Sequence, residues 1–308
     1  MRVVRQKKRI NIHPAVIWVS IIILALINVS ILPASSSYGS EPGNGIEQGI
    51  ADDVRIGDIV TLGHYEQDNN LDNGSEPIEW EVLTVQDEKA LLLSCYALDS
   101  QPFNQEKVPD DSLSEYILSG TYWDRSSLRA WLNSTFLSNA FDENESFSII
   151  TTQVKTGELV VSETWDKLFL LSVNELETYY NIEVNHDNLF QEPMPQDVLI
   201  CRVTDYARER AVETFSEILS DQTYEQTRDA FEKQDNEYGK NSCSWWLRDR
   251  GDYGNMAASV NVVGDVRYRA EVNNPYGVRP AMWVHISSLK AMDHQDPDVS
   301  DGLSESGL

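Results

Sequence analysis

Residues 15–32 (AVIWVSIIILALINVSIL) carry no charge and are interrupted only by Ser20, Asn28 and Ser30. A membrane-crossing helix needs about 20 predominantly apolar residues, with a lower limit near 17, so this segment is long enough to span. A buried core helix would show a polar second face. None is present, and five basic residues (Arg2, Arg5, Lys7, Lys8 and Arg9) precede the run. Two roles fit: an uncleaved transmembrane anchor, or the apolar region of a signal peptide cleaved near Ala34-Ser35-Ser36. In both, the basic cluster holds the amino end inside and the body is exported. The expected location is therefore the cell membrane, single-pass with the C-terminal body outside, or secretion after cleavage. No cysteine follows the apolar run directly, which excludes lipid attachment there.

The rest of the chain is strongly acidic. The chain has 308 residues, 50 of them acidic and 24 basic. With the five leading bases set aside, 19 basic residues face all 50 acidic ones. Such a surface repels phosphate backbones and anionic headgroups, which excludes nucleic-acid binding. A hydrophobic content of 41% with eight tryptophans is enough for a core, so the body is not disordered throughout.

The organisation follows from composition. Residues 1–14 form a basic cytoplasmic segment, 15–32 the anchor or signal, and 33–52 (Ser-, Gly-, Pro- and Glu-rich) a flexible linker. Residues 53–287 read as one extracytoplasmic domain and 288–308 as a disordered acidic tail. Within the domain, residues 58–62, 78–85 and 90–94 read as an antiparallel meander. Residues 125–139 place Leu128, Trp131, Leu132 and Phe136 on one helical face, with Asp124 as N-cap. Residues 167–171 read as a short strand, followed by a Ser172/Glu175 capping box and a helix to about Tyr180. Residues 204–219 read as a helix and 221–240 as a polar insertion. Strands then fall at 244–247, 258–263, 266–269 and 278–286, with a two-residue Gly264-Asp265 hairpin. Mostly antiparallel strands with a few helices define an α+β class.

No catalytic set is present. The five histidines never approach ligand spacing, and there is no HExxH, Cys/His quartet, GxSxG, P-loop or GxGxxG, so no metal, cofactor or catalytic residue is assigned. In the loop 68–79, Asp68, Asn70, Asp72 and Glu79 fall at EF-hand positions. Position 6, however, is Asn73 rather than Gly, and the loop reads as an Asn-Gly hairpin turn. Cys95, Cys201 and Cys243 lack CxxC spacing; at most one bridge can form, sequence cannot choose the pair, and buried free thiols are expected.

The adjacent Trp245-Trp246 should point to opposite faces of a strand, one inward and one outward unless both faces are covered. Trp123, Trp246, Arg248, Asp249 and Arg250 are the candidate ligand-binding residues, on loops around 104–125 and 248–256. Trp245, Arg279 and Trp283 are expected to be structural, Arg279 as the buried partner of a carboxylate. The expectation is a non-catalytic recognition domain for a cell-surface glycan, peptide or protein. Competing readings are an extracytoplasmic enzyme and a structural envelope protein.

Several ordered strings carry a resemblance: GDIVTLGHYEQDNN…EPIEWEVL (57–83), ALLLSCYALDSQPFN (90–104), LRAWLNSTFLSNAF (128–141), DKLFLLSVNE (166–175), TDYARERA (204–211), SWWLRDRG (244–251), VNVVGDV (260–266) and YGVRPAMWVHI (276–286). Together they resemble domain of unknown function 6273, a family of exported domains found mainly in Gram-positive bacteria, to which no reaction is attached. The family usually reads WWLRSPG where this chain has Asp249-Arg250 after Arg248. More distantly, the closing pattern is similar to C-type-lectin-like folds of the sulfatase-modifying type. That implies a mixed α+β body with paired terminal strands and binding loops. The cysteine pair of formylglycine-generating enzymes and the calcium triplets of sugar-binding lectins have no counterparts here, so neither activity is implied.

Overall fold

The expected meander forms as three antiparallel strands, β1 (Ile59–Tyr65), β2 (Glu76–Gln86) and β3 (Lys89–Ser94). The computed structural model describes residues 54–105, 122–157, 162–184, 194–218, 223–238, 241–252 and 254–292. In β2, Ile78, Trp80 and Val82 point into the core while Glu79 lies exposed between them. A register shift after Val82 then buries Leu83 as well, because a bulge turns two successive side chains the same way. The loop before β2 is tied by its own carboxylate: Asp68 accepts from the Asn70 N–H and the Asn73 amide, each at 2.8 Å.

β4 (Tyr96–Ala97) and β5 (Asp99–Pro102) follow. The helix expected over 125–139 is α1 (Ser127–Trp131), continuing through a π turn (Leu132–Phe136) into α2 (Leu137–Ala140). Its N-cap is Ser126, whose hydroxyl accepts from the Arg129 N–H. Asp124 lies one turn earlier, inside a 3-10 turn, so the expected cap is corrected by two residues. Next come α3 (Glu143–Ser148), β6 (Ile149–Ile150), β7 (Thr152–Thr156) and β8 (Ser162–Asp166). Residues 167–171 do not form a regular strand; Phe169 makes one bridge, to Ala281. The Ser172/Glu175 capping box is present at the start of α4 (Val173–Tyr180).

β9 (Cys201–Val203) leads into α5 (Asp205–Ile218), and residues 224–238, expected as a polar insertion, are helix α6 (Tyr224–Tyr238). Then follow β10 (Ser242–Cys243), β11 (Trp245–Arg250), β12 (Met256–Val260), β13 (Val266–Glu271), β14 (Pro275–Val278), β15 (Ala281–His285) and α7 (Ile286–Met292). The β12–β13 turn is wider than the two residues expected. Val260 pairs with Val266, and the Asn261 carboxamide accepts from the N–H groups of Val263 and Asp265 inside the loop. Gly264 is required there: its φ is +78°, and an added Cβ would meet the Gln196 carbonyl at 2.1 Å.

Two five-stranded sheets result, ordered β1-β2-β3-β15-β6 and β13-β12-β11-β14-β5, with a three-stranded β10-β9-β4 and the β7-β8 hairpin. Pairing is antiparallel except for β11/β14 and β4/β9. The fold is α+β with mostly antiparallel sheets. Arg279 and Pro280 pass the chain from one large sheet to the other, because proline supplies no N–H to continue the ladder. One hydrophobic core contains side chains from both. Helix α7, with Leu289 buried, carries the fold past residue 287, where the tail was expected to begin. Among the described residues no helix is long and apolar enough to cross a membrane. The apolar run 15–32 and the linker 33–52 lie outside the described residues.

Candidate binding cleft

Three of the side chains expected to touch a ligand, Trp123, Trp246 and Arg248, are packed inside, whereas Asp249 and Arg250 are half-buried. Trp123 and Trp246 do approach each other, with the Phe103 ring between them at 6.3 and 5.6 Å, but both are fully buried. The Trp123 indole donates to Asp166 (2.9 Å) and the Trp246 indole to the Gln101 carbonyl (2.8 Å). Asp166 is saturated further by Thr164 (2.6 Å) and Arg129 (2.7 Å). Trp245 is equally buried and donates to the Leu199 carbonyl at 3.1 Å, so β11 is covered on both faces and neither tryptophan points outward. This corrects the expectation for Trp123 and Trp246.

Arg248 is corrected in the same way. Its guanidinium makes a bidentate pair with Glu175 and donates to the carbonyls of Leu170 (2.7 Å) and Lys155 (3.2 Å). Asp249 accepts from the Val173 N–H at 2.6 Å, at the first turn of α4. Arg250 bonds the Tyr122 hydroxyl at 3.3 Å and lies 5.4 Å above that ring. The three residues join the end of β11 to its neighbours, Arg248 from the interior and Asp249 and Arg250 from half-buried positions. Trp283, on β15, is half-buried against Leu91 and Ile150. Of the expected loop 104–125, residues 106–121 lie outside the described residues.

A cleft of about 240 Å³ opens elsewhere, between α5, α6 and the strands β10 and β14. Its position follows from local sequence. Thr204 caps α5 by accepting from the Ala207 N–H (3.1 Å). Ala207 and Ala211, one turn apart, are buried and small enough to bring α5 close to the sheet. The helices α5 and α6 meet through Phe215 and Phe231, whose rings are 5.7 Å apart and tilted by 52°. Tyr276 lines the opposite wall, backed by Trp246 in a stacked contact at 4.7 Å. Arg208 supplies the cation; it also donates to the Asn241 side chain at 3.0 Å. Gln234 and Cys243 complete the polar lining.

Among the described residues that line it, the cleft has no nucleophile–base–acid set; it offers aromatic walls, one guanidinium and an amide. Sequence reasoning missed it because 221–240 looked uniformly polar. The available signal was the spacing of Tyr224, Thr227, Phe231 and Gln234, the buried or half-buried positions of α6 over residues 224–234.

No curated protein and no solved structure matches the chain. One family model does, over residues 87–286, and the strands β3 to β15 and helices α1 to α6 described above all lie within it. The chain belongs to the family described as domain of unknown function (DUF6273).

Proposed function

We propose that this chain is a membrane-tethered extracytoplasmic recognition domain that binds its ligand non-catalytically in the cleft between α5, α6 and β14. The observation that carries the binding role is the pairing of an aromatic wall (Phe215, Phe231, Tyr276) with the Arg208 guanidinium in one concavity. The export half of the reading rests on the apolar run 15–32 behind its basic cluster, with no basic residue after it until Arg55. An origin among exported domains of Gram-positive bacteria belongs to the same proposal, on the resemblance over residues 57–286, as does a C-type-lectin-like fold, on the resemblance of the closing strands.

A peptide fits this cleft better than a glycan. Sugars stack on flat, open aromatic faces, whereas Phe215 and Phe231 are tilted against each other and Tyr276 has one face taken by Trp246. The expected ligand places an aliphatic or aromatic side chain between the phenylalanines and an acceptor on Arg208.

Binding by the full chain in detergent micelles to panels of envelope peptides and glycans tests this. A peptide hit is expected to weaken about tenfold in Phe231→Ala, equivalent to about 1.4 kcal/mol. Unchanged affinity in that variant, or no binding to any panel member, removes the cleft as the site. Location is tested separately. The full-length chain is expected to remain with membranes after carbonate washing, because an inserted helix holds far more strongly than a surface contact. Release, with an amino terminus near Ser37, assigns the run to a cleaved signal peptide instead. Protection of the body from protease added to wall-less cells would contradict export.

A further inference from the structure

Two of the three cysteines, remote in sequence, pair across the small sheet β10-β9-β4, and the third, Cys95, immediately precedes β4. Cys243 and Cys201 are direct cross-strand partners. β4 runs parallel to β9 with Tyr96 opposite Arg202, which sets Cys95, one residue earlier, beside Cys201. Two residues along, the Val203 N–H donates to the Asn241 carbonyl (2.7 Å). This puts Cys201 and Cys243 at a hydrogen-bonded pair position, where opposed Cα atoms lie about 5.5 Å apart. Disulfides close over Cα separations of about 4.4–6.8 Å. Each thiol influences the ionisation of the other, and Cys201 Sγ donates to the Arg202 carbonyl at 3.2 Å.

The surroundings favour chemistry at this pair. Cys201 is buried, whereas Cys243 is half-buried and lines the cleft. Gly277 leaves room for its sulfur: an added Cβ would stand 2.9 Å from Cys243 Sγ and 2.8 Å from the Ala97 methyl. The Arg279 guanidinium acts on all three thiols, and its Nη1 is buried without a hydrogen-bond partner among the described residues. Burial opposes ionisation of Cys201, but the hydrogen bond from Cys243 and the charge of Arg279 outweigh it and lower its pKa below the usual thiol value. Cys95 differs: burial pushes it up to about 11, which keeps it a thiol.

We propose that Cys201 and Cys243 form a dithiol–disulfide couple that exchanges with external disulfides, of small molecules or of proteins, through the cleft. Cys243, whose own ionisation is held back by its neighbour Cys201 and by burial, passes its proton to the Cys201 thiolate as its sulfur attacks one sulfur of the incoming disulfide, expelling the other as a thiolate. Cys201 then gives that proton to solvent, and its thiolate attacks the Cys243 sulfur, breaks the mixed disulfide and expels the second thiolate. Each expelled thiolate takes up one proton. Two electrons leave the cysteine pair, and one external disulfide becomes two thiols. The couple adjoins the proposed ligand cleft but does not rest on that reading.

Glutathione is the probe. The full chain in detergent is equilibrated in glutathione buffers from fully reduced to fully oxidised, quenched by alkylation, and examined by intact mass and peptide mapping. Oxidising buffer is expected to remove two alkylatable thiols and yield a linked peptide joining Cys201 to Cys243, with Cys95 alkylated throughout. In Cys201→Ser, Cys243 is expected to remain as a glutathione mixed disulfide, since the second attack is lost. In Cys243→Ser, neither bridge nor adduct is expected. Three alkylatable thiols across the whole range, or a bridge containing Cys95, overturns the proposal. The wild-type map decides the matter even if a variant fails to fold. Peptide affinity measured on the same samples keeps the two readings apart: a bridge without peptide binding removes only the ligand role.

Discussion

Replacing Arg248 with alanine is expected to lower the unfolding free energy by about 3–5 kcal/mol, the usual cost of removing one side of a buried ion pair. The side chain is 5% exposed and its Glu175 partner 27% exposed, so solvent screens the pair little. The same Glu175 oxygen that meets Arg248 Nη1 also accepts from the Ser172 N–H at 2.9 Å, as half of the α4 capping box. Arg248 therefore joins β11 to the start of α4, and its bonds to the Lys155 carbonyl extend the connection to β7. Removing it leaves Glu175 without its counter-charge and the carbonyl of Leu170 without its guanidinium donor. Urea unfolding should show the midpoint falling with little change in slope. Arg248→Lys should lie between, since an ammonium cannot reproduce the bidentate fork. A loss below about 1 kcal/mol would place the pair among solvent-screened surface bridges and return Arg248 to the candidate ligand residues.

The contrast between what was and was not legible in the sequence follows from the range of the forces involved. The β1–β3 meander and the Ser172/Glu175 box rest on signals within a few residues, namely alternation, turn residues and a reciprocal cap, and both form. The Trp245-Trp246 pair was ambiguous because its orientation depends on what covers β11. With Leu199 reached by one ring and Gln101 by the other, both are inside. Helix α6 was missed because its inward stripe contains one strongly apolar residue, Phe231, among Tyr224, Thr227 and Gln234. Of these four, Phe231 and Gln234 line the cleft, and a stripe with one apolar residue among polar ones leaves little periodic signal. The cysteine row was beyond sequence reasoning altogether. Spacing along the chain does not encode that β9 lies between β4 and β10, and pairing register alone sets Cys201 opposite Cys243, with Cys95 just before β4.

Arg279→Ala is expected to be as damaging as the loss of Arg248, for a different reason. Arg279 lies where the chain leaves β14 for β15, and its Nε donates to the Ser94 carbonyl at 2.7 Å. The guanidinium also lies 5.1 Å above the Trp245 ring and faces Glu81 at 3.7 Å. That carboxylate accepts from the Tyr180 hydroxyl at 3.0 Å, so the group connects both large sheets with α4. The Glu81 contact is long and the carboxylate 30% exposed, and Nη1 lacks a partner, so the ion pair by itself contributes modestly. Most of the cost of truncation comes from losing the packing on Trp245 and stranding the Ser94 carbonyl, together about 3–5 kcal/mol with the charge included. Thermal unfolding should therefore show a fall of many degrees, or no folded protein. Arg279→Lys separates the contributions: it keeps the charge but loses the planar stack, and should recover part of the stability. It should also preserve more of the reactivity of Cys201 towards alkylation in the reduced state than Arg279→Met, which fills space without a charge. Wild-type stability in Arg279→Ala together with lost peptide binding would reverse the assignment and make Arg279 a ligand contact, reached from the cleft past Cys243.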